Sequence, residues 1–268
     1  SLQGITIVNL FFENSTRTRI SFELAQKRLS SDSINFSASS SSLKKGESFK
    51  DTVQNIEAMK IDAVVIRHPA PGSPKILTEF IDACVINAGD GTHEHPTQAI
   101  LDMMSLQEKF GRLSDLKIGI VGDIMHSRVA LSNIYGLKTM GAKITICGPP
   151  NLIPRFITDF GVKITYNIDE LIEWADAINV LRIQRERMGH NLIPSTREYR
   201  HMFGLTHERL KKHKKEIVIM HPGPMNRGVE IDSEVADSDQ AIILDQVLNG
   251  VASRMSILFL LCGGKIQN

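Results

Sequence analysis

The sequence predicts an α/β chain: two doubly wound parallel-sheet domains joined by interdomain helices. Three observations carry this. Short β-rich runs alternate with amphipathic helical spacing, the pattern of βαβ units. The alternation restarts at Lys117-Ile-Gly-Ile-Val121, after a helical stretch over 96–110. At 268 residues and 42% hydrophobic content, the chain has enough apolar material for two modest cores.

In the first half, residues 5–10, 63–66 and 85–86 read as strands, and 17–29, 49–59 and 73–81 show helical spacing. Past the helix over 96–110, strands are expected at 117–121, 143–147, 177–181 and 216–220, with a helix over 128–140. Residues 191–206 read as a long polar loop, and the apolar stretch 251–261 as a helix able to pack across both domains. The expected boundaries are 1–112 for the first domain, 113–248 for the second, and 249–268 for a C-terminal helix packing back on the first. The chain opens at Ser1-Leu2-Gln3-Gly4, almost directly on a strand. A doubly wound domain calls for a covering helix there, so the expectation is that an N-terminal helical segment is missing.

A formal net charge of +1 leaves no global field to recruit nucleic acid or an acidic membrane, so any anion binding must be local. Cys84, Cys147 and Cys262 are odd in number and far apart in apolar stretches, which fits reduced core thiols and a cytoplasmic setting. No basic segment leads into an apolar one at the start, and no apolar run is expected to approach the roughly 20 residues that span a bilayer.

The most informative run is Ser15-Thr16-Arg17-Thr18-Arg19, between a strand and an amphipathic helix. Free backbone N–H groups at a helix start favour an anion, and hydroxyls with an arginine complete a phosphate cradle. Taken as an isolated Ser-Thr-Arg, Ser15 or Thr16 reads as a simple helix cap; the extended run after a buried strand shifts the reading towards the cradle. Ser41 and Lys45 lie in the polar stretch Ser39 to Glu47, which reads either as a solvated loop or as one delivering an ammonium to an anion. Arg67 directly follows a buried strand, where open α/β sheets assemble binding sites, although a surface ion pair is as good a reading.

The Gly-rich turn Asn87 to Gln98 presents His95 and Gln98 at a helix entrance. His93 and His95 lack a clear third metal ligand, so a neutral imidazole donating to a carbonyl oxygen is the better reading, since helix N-termini disfavour the imidazolium. In the second half, Gly119 to Arg128 lacks both the three-glycine dinucleotide fingerprint and the P-loop ending. Arg128 there suits a substrate carboxylate or a surface pair. Arg182 and Gln184 follow another apolar strand, and His221-Pro222-Gly223-Pro224 forms a rigid turn after 216–220. The basic run 209–215 reads as a solvated helix end.

Five of these motifs, in order, resemble the aspartate carbamoyltransferase catalytic chains: Ser15 to Arg19, Lys44-Lys45-Gly46-Glu47, Arg67-His68-Pro69, His95-Pro96-Thr97-Gln98 and His221 to Pro224. The resemblance implies a carbamoyl-phosphate domain followed by an L-aspartate domain, no cofactor, no metal, and a homotrimer with shared active sites. It implies that Ser15, Thr16, Arg17 and Thr18 hold phosphate, and that Thr18, Arg67 and His95 address the carbonyl oxygen. Gln98 would hold the carbamoyl NH2, Ser41 and Lys45 would come from a neighbouring subunit, and Arg128, Arg182, Gln184, Pro222 and Gly223 would receive aspartate. Lys45 joins Thr18, Arg67 and His95 in the implied catalytic set.

Regulatory chains or a dihydroorotase-like partner are left open by the resemblance; nucleic acid and membrane are not expected partners. Ornithine carbamoyltransferases share the Ser-Thr-Arg-Thr and His-Pro-x-Gln segments but characteristically carry His-Cys-Leu-Pro where this chain has His221 to Pro224. Arg128, Arg182 and Arg227 would also serve a cationic amino acid poorly. A noncatalytic phosphate-ligand-binding paralogue is the reading from another class; it predicts loss of Lys45, Arg67 or His95, and all three are present.

Overall fold

The computed structural model describes residues 1–37, 48–184, 192–213 and 215–263. The chain divides into two compact units, Ser1–Thr97 with Gly250–Asn268, and Gln98–Asn249. The first unit is therefore discontinuous in sequence.

Its sheet has four parallel strands in the order β2-β1-β3-β4: β1 (Thr6–Phe11), β2 (Asp32–Ser37), β3 (Ala63–His68) and β4 (Cys84–Asp90). The helices are α1 (Thr16–Arg28), α2 (Phe49–Glu57), α3 (Ser73–Leu77) and the start of α4 (Pro96–Phe110). A strand covered on both faces must be apolar on both. Ile7 and Phe11 of β1, with Ala63 and Val65 of β3, enter one core with Phe22 and Ala25 of α1. Val8 and Leu10, with Val64 and Ile66, enter the opposite one with Val53 and Leu77. This alternation is what makes a near-continuous hydrophobic run in a parallel strand.

The exception on β1 is Asn9, fully buried in mid-strand. Its Nδ2 donates to Gln26 Oε1 at 2.9 Å and Gln26 Nε2 returns the bond to Asn9 Oδ1 at 2.8 Å. Gln26 Oε1 also accepts from Ser33 Oγ, and Asn9 Nδ2 donates to Asn35. This closed amide pair ties β1 to α1 and β2, and β2 is the strand of this sheet that the sequence reading lacks. Asp32–Ser37 is an edge strand whose Ser33 and Asn35 face these amides and whose Ile34 is exposed, so it has no hydrophobic period to read.

The second unit has five parallel strands in the order β7-β6-β5-β8-β9. These are β5 (Lys117–Val121), β6 (Lys143–Cys147), β7 (Lys163–Thr165), β8 (Ala177–Val180) and β9 (Val218–Met220). Helix α5 (Arg128–Thr139) packs Ala130, Ile134 and Leu137 on Ile118 and Ile120. On the other face, α6 (Ile168–Trp174) and α7 (Thr196–Phe203) pack Leu171, Tyr199 and Phe203 against Val121, Ile178 and Val180. Gly119 admits α6 closely: a Cβ there would sit 3.0 Å from Leu171.

The expected polar loop over 191–206 is corrected, because it contains α7. Ser195 caps that helix by accepting from the Glu198 N–H, so the Ser-x-x-Glu signature of a capping box was present in the sequence. The basic run 209–215 starts within α8 (His207–His213), with Arg209 and His213 both on Asp169 of α6.

After α9 (Ser233–Ala236), helix α10 (Ile243–Cys262) runs for 20 residues. Its length and composition suffice to cross a membrane, which corrects the expectation that no apolar run comes near that length. It carries Val251, Leu258 and Cys262 into the core of the first unit, along with buried Ser253 and Arg254. Arg254 lies 5.1 Å over the Phe22 ring and donates to Ser21 and Gly250. Those features are those of a core helix.

The Asn9–Gln26 pair gives a stability prediction. Gln26→Ala leaves the Asn9 carbonyl oxygen and one of its two amide N–H groups unsatisfied in the core and is expected to cost about 2 kcal/mol. Replacing both partners by Leu and Met removes donor and acceptor together and should cost less, as read from thermal or denaturant unfolding.

Candidate active site

In the first sheet the chain leaves β1 towards β2 and later returns to the other side of β1 as β3. The strand order therefore reverses between β1 and β3, and their carboxyl ends form the crevice where such sheets bind ligands. Ser15, Thr16, Arg17 and Thr18 follow β1, and Arg67 lies opposite Phe11 at the end of β3.

Ser15 occupies the N-cap position of α1 with extended backbone, yet its side chain makes no capping bond, and no acidic residue sits in the first turn. In α2, α5, α6 and α7, by contrast, Ser48, Ser127, Asn167 and Ser195 all accept a backbone N–H. The simple-cap reading therefore fails for Ser15, whose hydroxyl is not spent on its own helix. Thr16 and Arg17 are exposed and Thr18 is buried.

Arg67 is held from two sides. Its Nη1 donates to the Ala88 carbonyl at 3.2 Å, and its Nε lies 3.4 Å from Glu13 Oε2. It is a fixed, largely buried cation rather than a surface pair. His95 is buried immediately before α4. The turn that brings it there is organised by buried Asp90, whose carboxylate accepts from Gly72 N–H (2.7 Å), Asn87 Nδ2 (2.9 Å) and Glu94 N–H (3.2 Å), with His93 Nδ1 at 3.0 Å. His93 is thus engaged with Asp90, and among the described residues no group of three His, Cys, Asp or Glu is placed to hold a metal ion.

His68, beside Arg67, sits against the rings of Phe12 and Phe49 at 5.1 and 5.2 Å. Its Nδ1 accepts from the Ala70 N–H at 3.0 Å, which leaves the proton on Nε2. Burial lowers its pKa from the ordinary 6.5, against the raising influence of the Glu13 and Asp90 charges.

In the second unit, three loops at the carboxyl ends of β5, β8 and β9 are stitched together. Gln184 Nε2 donates to the His126 carbonyl at 3.0 Å, and Asn226 Nδ2 to the Ile183 carbonyl at 3.4 Å. Fully buried Asp123 accepts from the His126 backbone (3.1 Å) and pairs with its ring (2.9 Å). Burial raises the Asp123 pKa, opposed by the hydrogen bonds from His126 and the Gln184 backbone. Gly122, at φ +133°, makes the close approach possible: a Cβ there would meet the Leu181 carbonyl at 2.7 Å.

This stitching gathers Arg128, buried at the first position of α5, Arg182, Gln184, Pro222 and Gly223 at one sheet edge. Gly223 N–H donates to His221 Nδ1 at 2.8 Å. Arg227 does not join them. It forms a two-pronged exposed pair with Asp237 at 2.7 and 2.6 Å, so its expected part in repelling a cationic substrate is corrected.

Gln98 belongs to the second unit, where its Nε2 donates to Asp102 Oδ1 at 2.9 Å. Ser41 and Lys45 lie outside the described residues. The sequence reading assigned no role to Glu13, Asp90, Asp102 or Asp123. The signal for Asp102 was its place one turn beyond Gln98 on the same helix face.

Two family models match the chain: the aspartate/ornithine carbamoyltransferase carbamoyl-P binding domain over residues 1–108, and the Asp/Orn binding domain of the same family over 114–261. The chain belongs to the aspartate/ornithine carbamoyltransferase family. It is 61% identical over 261 residues to the aspartate carbamoyltransferase catalytic subunit of Christiangramia forsetii, covering 97% of this chain and 84% of the relative.

Among solved structures it is similar to the aspartate transcarbamoylase of Trypanosoma cruzi in complex with carbamoyl phosphate and aspartate. That match has a TM-score of 0.85 and 29% identity, covering 96% of this chain and 84% of that one. It is also similar to the ornithine carbamoyltransferase of Pyrococcus furiosus, with a TM-score of 0.85 and 26% identity over 98% of this chain and 86% of that one.

The His68 environment sets a pH dependence. Between its lowered folded pKa and 6.5, the unfolded chain binds a proton that the folded chain refuses, so stability rises with pH across that window. The thermal midpoint is expected to fall as pH is lowered from about 7 to about 5, with a shallower slope in His68→Phe.

Proposed function

We propose that this chain transfers the carbamoyl group of carbamoyl phosphate to the amine of L-aspartate, giving N-carbamoyl-L-aspartate and phosphate, a step of de novo pyrimidine biosynthesis. The observation that carries the proposal is the uncapped N-terminus of α1, beside a β3 arginine fixed by Glu13 and Ala88. In this reading Ser15, Thr16, Arg17 and Thr18 take the phosphate through backbone N–H groups, hydroxyls and a guanidinium. Arg67, His95 and Thr18 take the carbonyl oxygen, and Gln98 the carbamoyl NH2. Arg128, Arg182, Gln184 and the Pro222-Gly223 turn receive aspartate.

The amine nitrogen attacks the carbonyl carbon and the carbonyl π electrons move to oxygen. That oxygen gains negative charge, and fixed donors aimed at it are each worth about 3 kcal/mol of barrier. Collapse then breaks the bond from carbon to the bridging oxygen, and the departing phosphate takes up the amine proton. A cationic Arg67 and a neutral, Nε2- or Nδ1-protonated His95 at a helix start both suit this charge without needing to change it.

The fold does not choose between aspartate and ornithine, since both kinds of enzyme share it. The 61% identity to a catalytic subunit named for aspartate favours aspartate, as do Arg128 and Arg182 at the acceptor edge. Purified protein given carbamoyl phosphate with either amino acid should release phosphate and carbamoylated product with aspartate. Product from ornithine alone would overturn the assignment, and phosphate-ligand binding without turnover would favour a noncatalytic paralogue.

The proposal extends to a homotrimer in which Ser41 and Lys45 serve a neighbouring subunit's site. Three free cysteines, two of them buried, suit a reducing cytoplasm. Mixing inactive Lys45→Ala and Arg17→Ala chains is then expected to restore part of the activity, because some sites in mixed trimers draw both residues from intact chains. Mixed trimers without recovery would argue against shared sites.

A further inference from the structure

Asp102, one turn beyond Gln98 on α4, is 1% exposed and lies at the meeting point of four elements of the second unit. Its Oδ1 accepts from Gln98 Nε2 at 2.9 Å and from Gln246 Nε2 of α10 at 2.7 Å. Its Oδ2 accepts from Asn133 Nδ2 of α5 at 2.8 Å and, at the 3.5 Å limit, from Asn179 Nδ2 of β8. We propose that Asp102 is a positioning residue for carbamoyl transfer, orienting the Gln98 amide on one side and the His221–Gly223 turn on the other. The inference rests on the reading of Gln98 and that turn as substrate contacts.

The argument is one of donors and acceptors. An ionised carboxylate only accepts, so every amide touching it must turn its NH2 inward and its carbonyl oxygen outward. For Gln98 this presents Oε1 as an acceptor with no hydrogen-bond partner among the described residues, the polarity a carbamoyl NH2 requires. For Gln246 it presents Oε1 to the backbone N–H of His221 at 3.0 Å. Gly223 N–H in turn donates to the His221 ring at 2.8 Å, so the turn that carries Pro222 and Gly223 is set by the same carboxylate through one intermediary. The Oδ1 atoms of Asn133 and Asn179 are buried without a hydrogen bond among the described residues, a cost that buys two donors fixed on Asp102. A structural need for a buried carboxylate would be met by any donors; here two of the four carry their orientation on to proposed substrate contacts.

Asp102→Asn keeps the shape but makes one end of the group a donor, so it opposes either the Gln98 and Gln246 amides or the Asn133 amide. With Tm checked so that assays run well below unfolding, the expected result is a loss of about tenfold to a hundredfold in kcat/KM for carbamoyl phosphate. In a Gln98→Ala background, Asp102→Asn should have little further effect on that KM, because its action passes through Gln98. Wild-type kinetics for Asp102→Asn, or full additivity with Gln98→Ala, would overturn the inference even if Gln98→Ala is itself impaired. If Gln98→Ala instead leaves carbamoyl phosphate kinetics unchanged, the underlying reading of Gln98 fails.

Gln246→Ala tests the other arm: it removes the acceptor for the His221 N–H, and KM for aspartate should rise several-fold. An unchanged aspartate KM would overturn that arm. Should Asp102→Asn not fold, Asn133→Ala loosens the carboxylate while keeping its charge. It is expected to raise KM for carbamoyl phosphate threefold or more, an effect lost in the Gln98→Ala background, and a wild-type KM there would overturn the proposal.

Discussion

A parallel sheet sends every strand out at the same edge, and the helix that follows each strand begins there with free N–H groups. In both units of this chain the proposed ligand-binding residues stand at that edge, after β1 and β3 and before α4 in the first, and after β5, β8 and β9 in the second. The constraint explains why the relevant side chains are scattered along the sequence yet converge within each unit. It also suits their chemistry, since helix starts favour anions and carbamoyl phosphate, for which the family's first domain is named, is an anion.

What converges must also be held still, and here carboxylates do much of the holding. Asp90 fixes the turn before His95, Asp123 draws together the loops carrying Arg128 and Gln184, and Glu13 pins Arg67. Asp90 and Asp123 are fully desolvated and offset that cost with several hydrogen bonds each, while the partly exposed Glu13 pairs with Arg67. The bonds they make are directional, which apolar contacts are not, and that suits loops whose ends must keep their aim.

Most of the fold was legible because strands buried on both faces and helices with an apolar stripe leave a clear period. The elements that escaped lack it: β2 is a polar edge strand, β7 has three residues, and α6 has seven. Helix α7 escaped for a different reason, its capping serine and glutamate being hidden in a stretch rich in loop formers. The site was legible where a motif combines a strand end with unusual chemistry, as in Ser15 to Arg19 or His95 to Gln98. It was not legible for Asp102 or Asp90, because a lone aspartate looks the same in sequence whether it faces water or four buried donors. The exposed Arg227 shows the converse error, a cation near a promising turn that belongs to a neighbouring carboxylate.

The discontinuity of the first unit bears on how the chain comes off the ribosome. Residues 98–249 are complete, as a unit, before the segment from Gly250 has been made, whereas the unit that begins at Ser1 lacks Val251, Leu258 and Cys262 of its core until then. Domains fold as units once their sequence is available, and contacts distant in sequence close late. Of the two units, the one that starts earlier in the sequence is thus the one finished later.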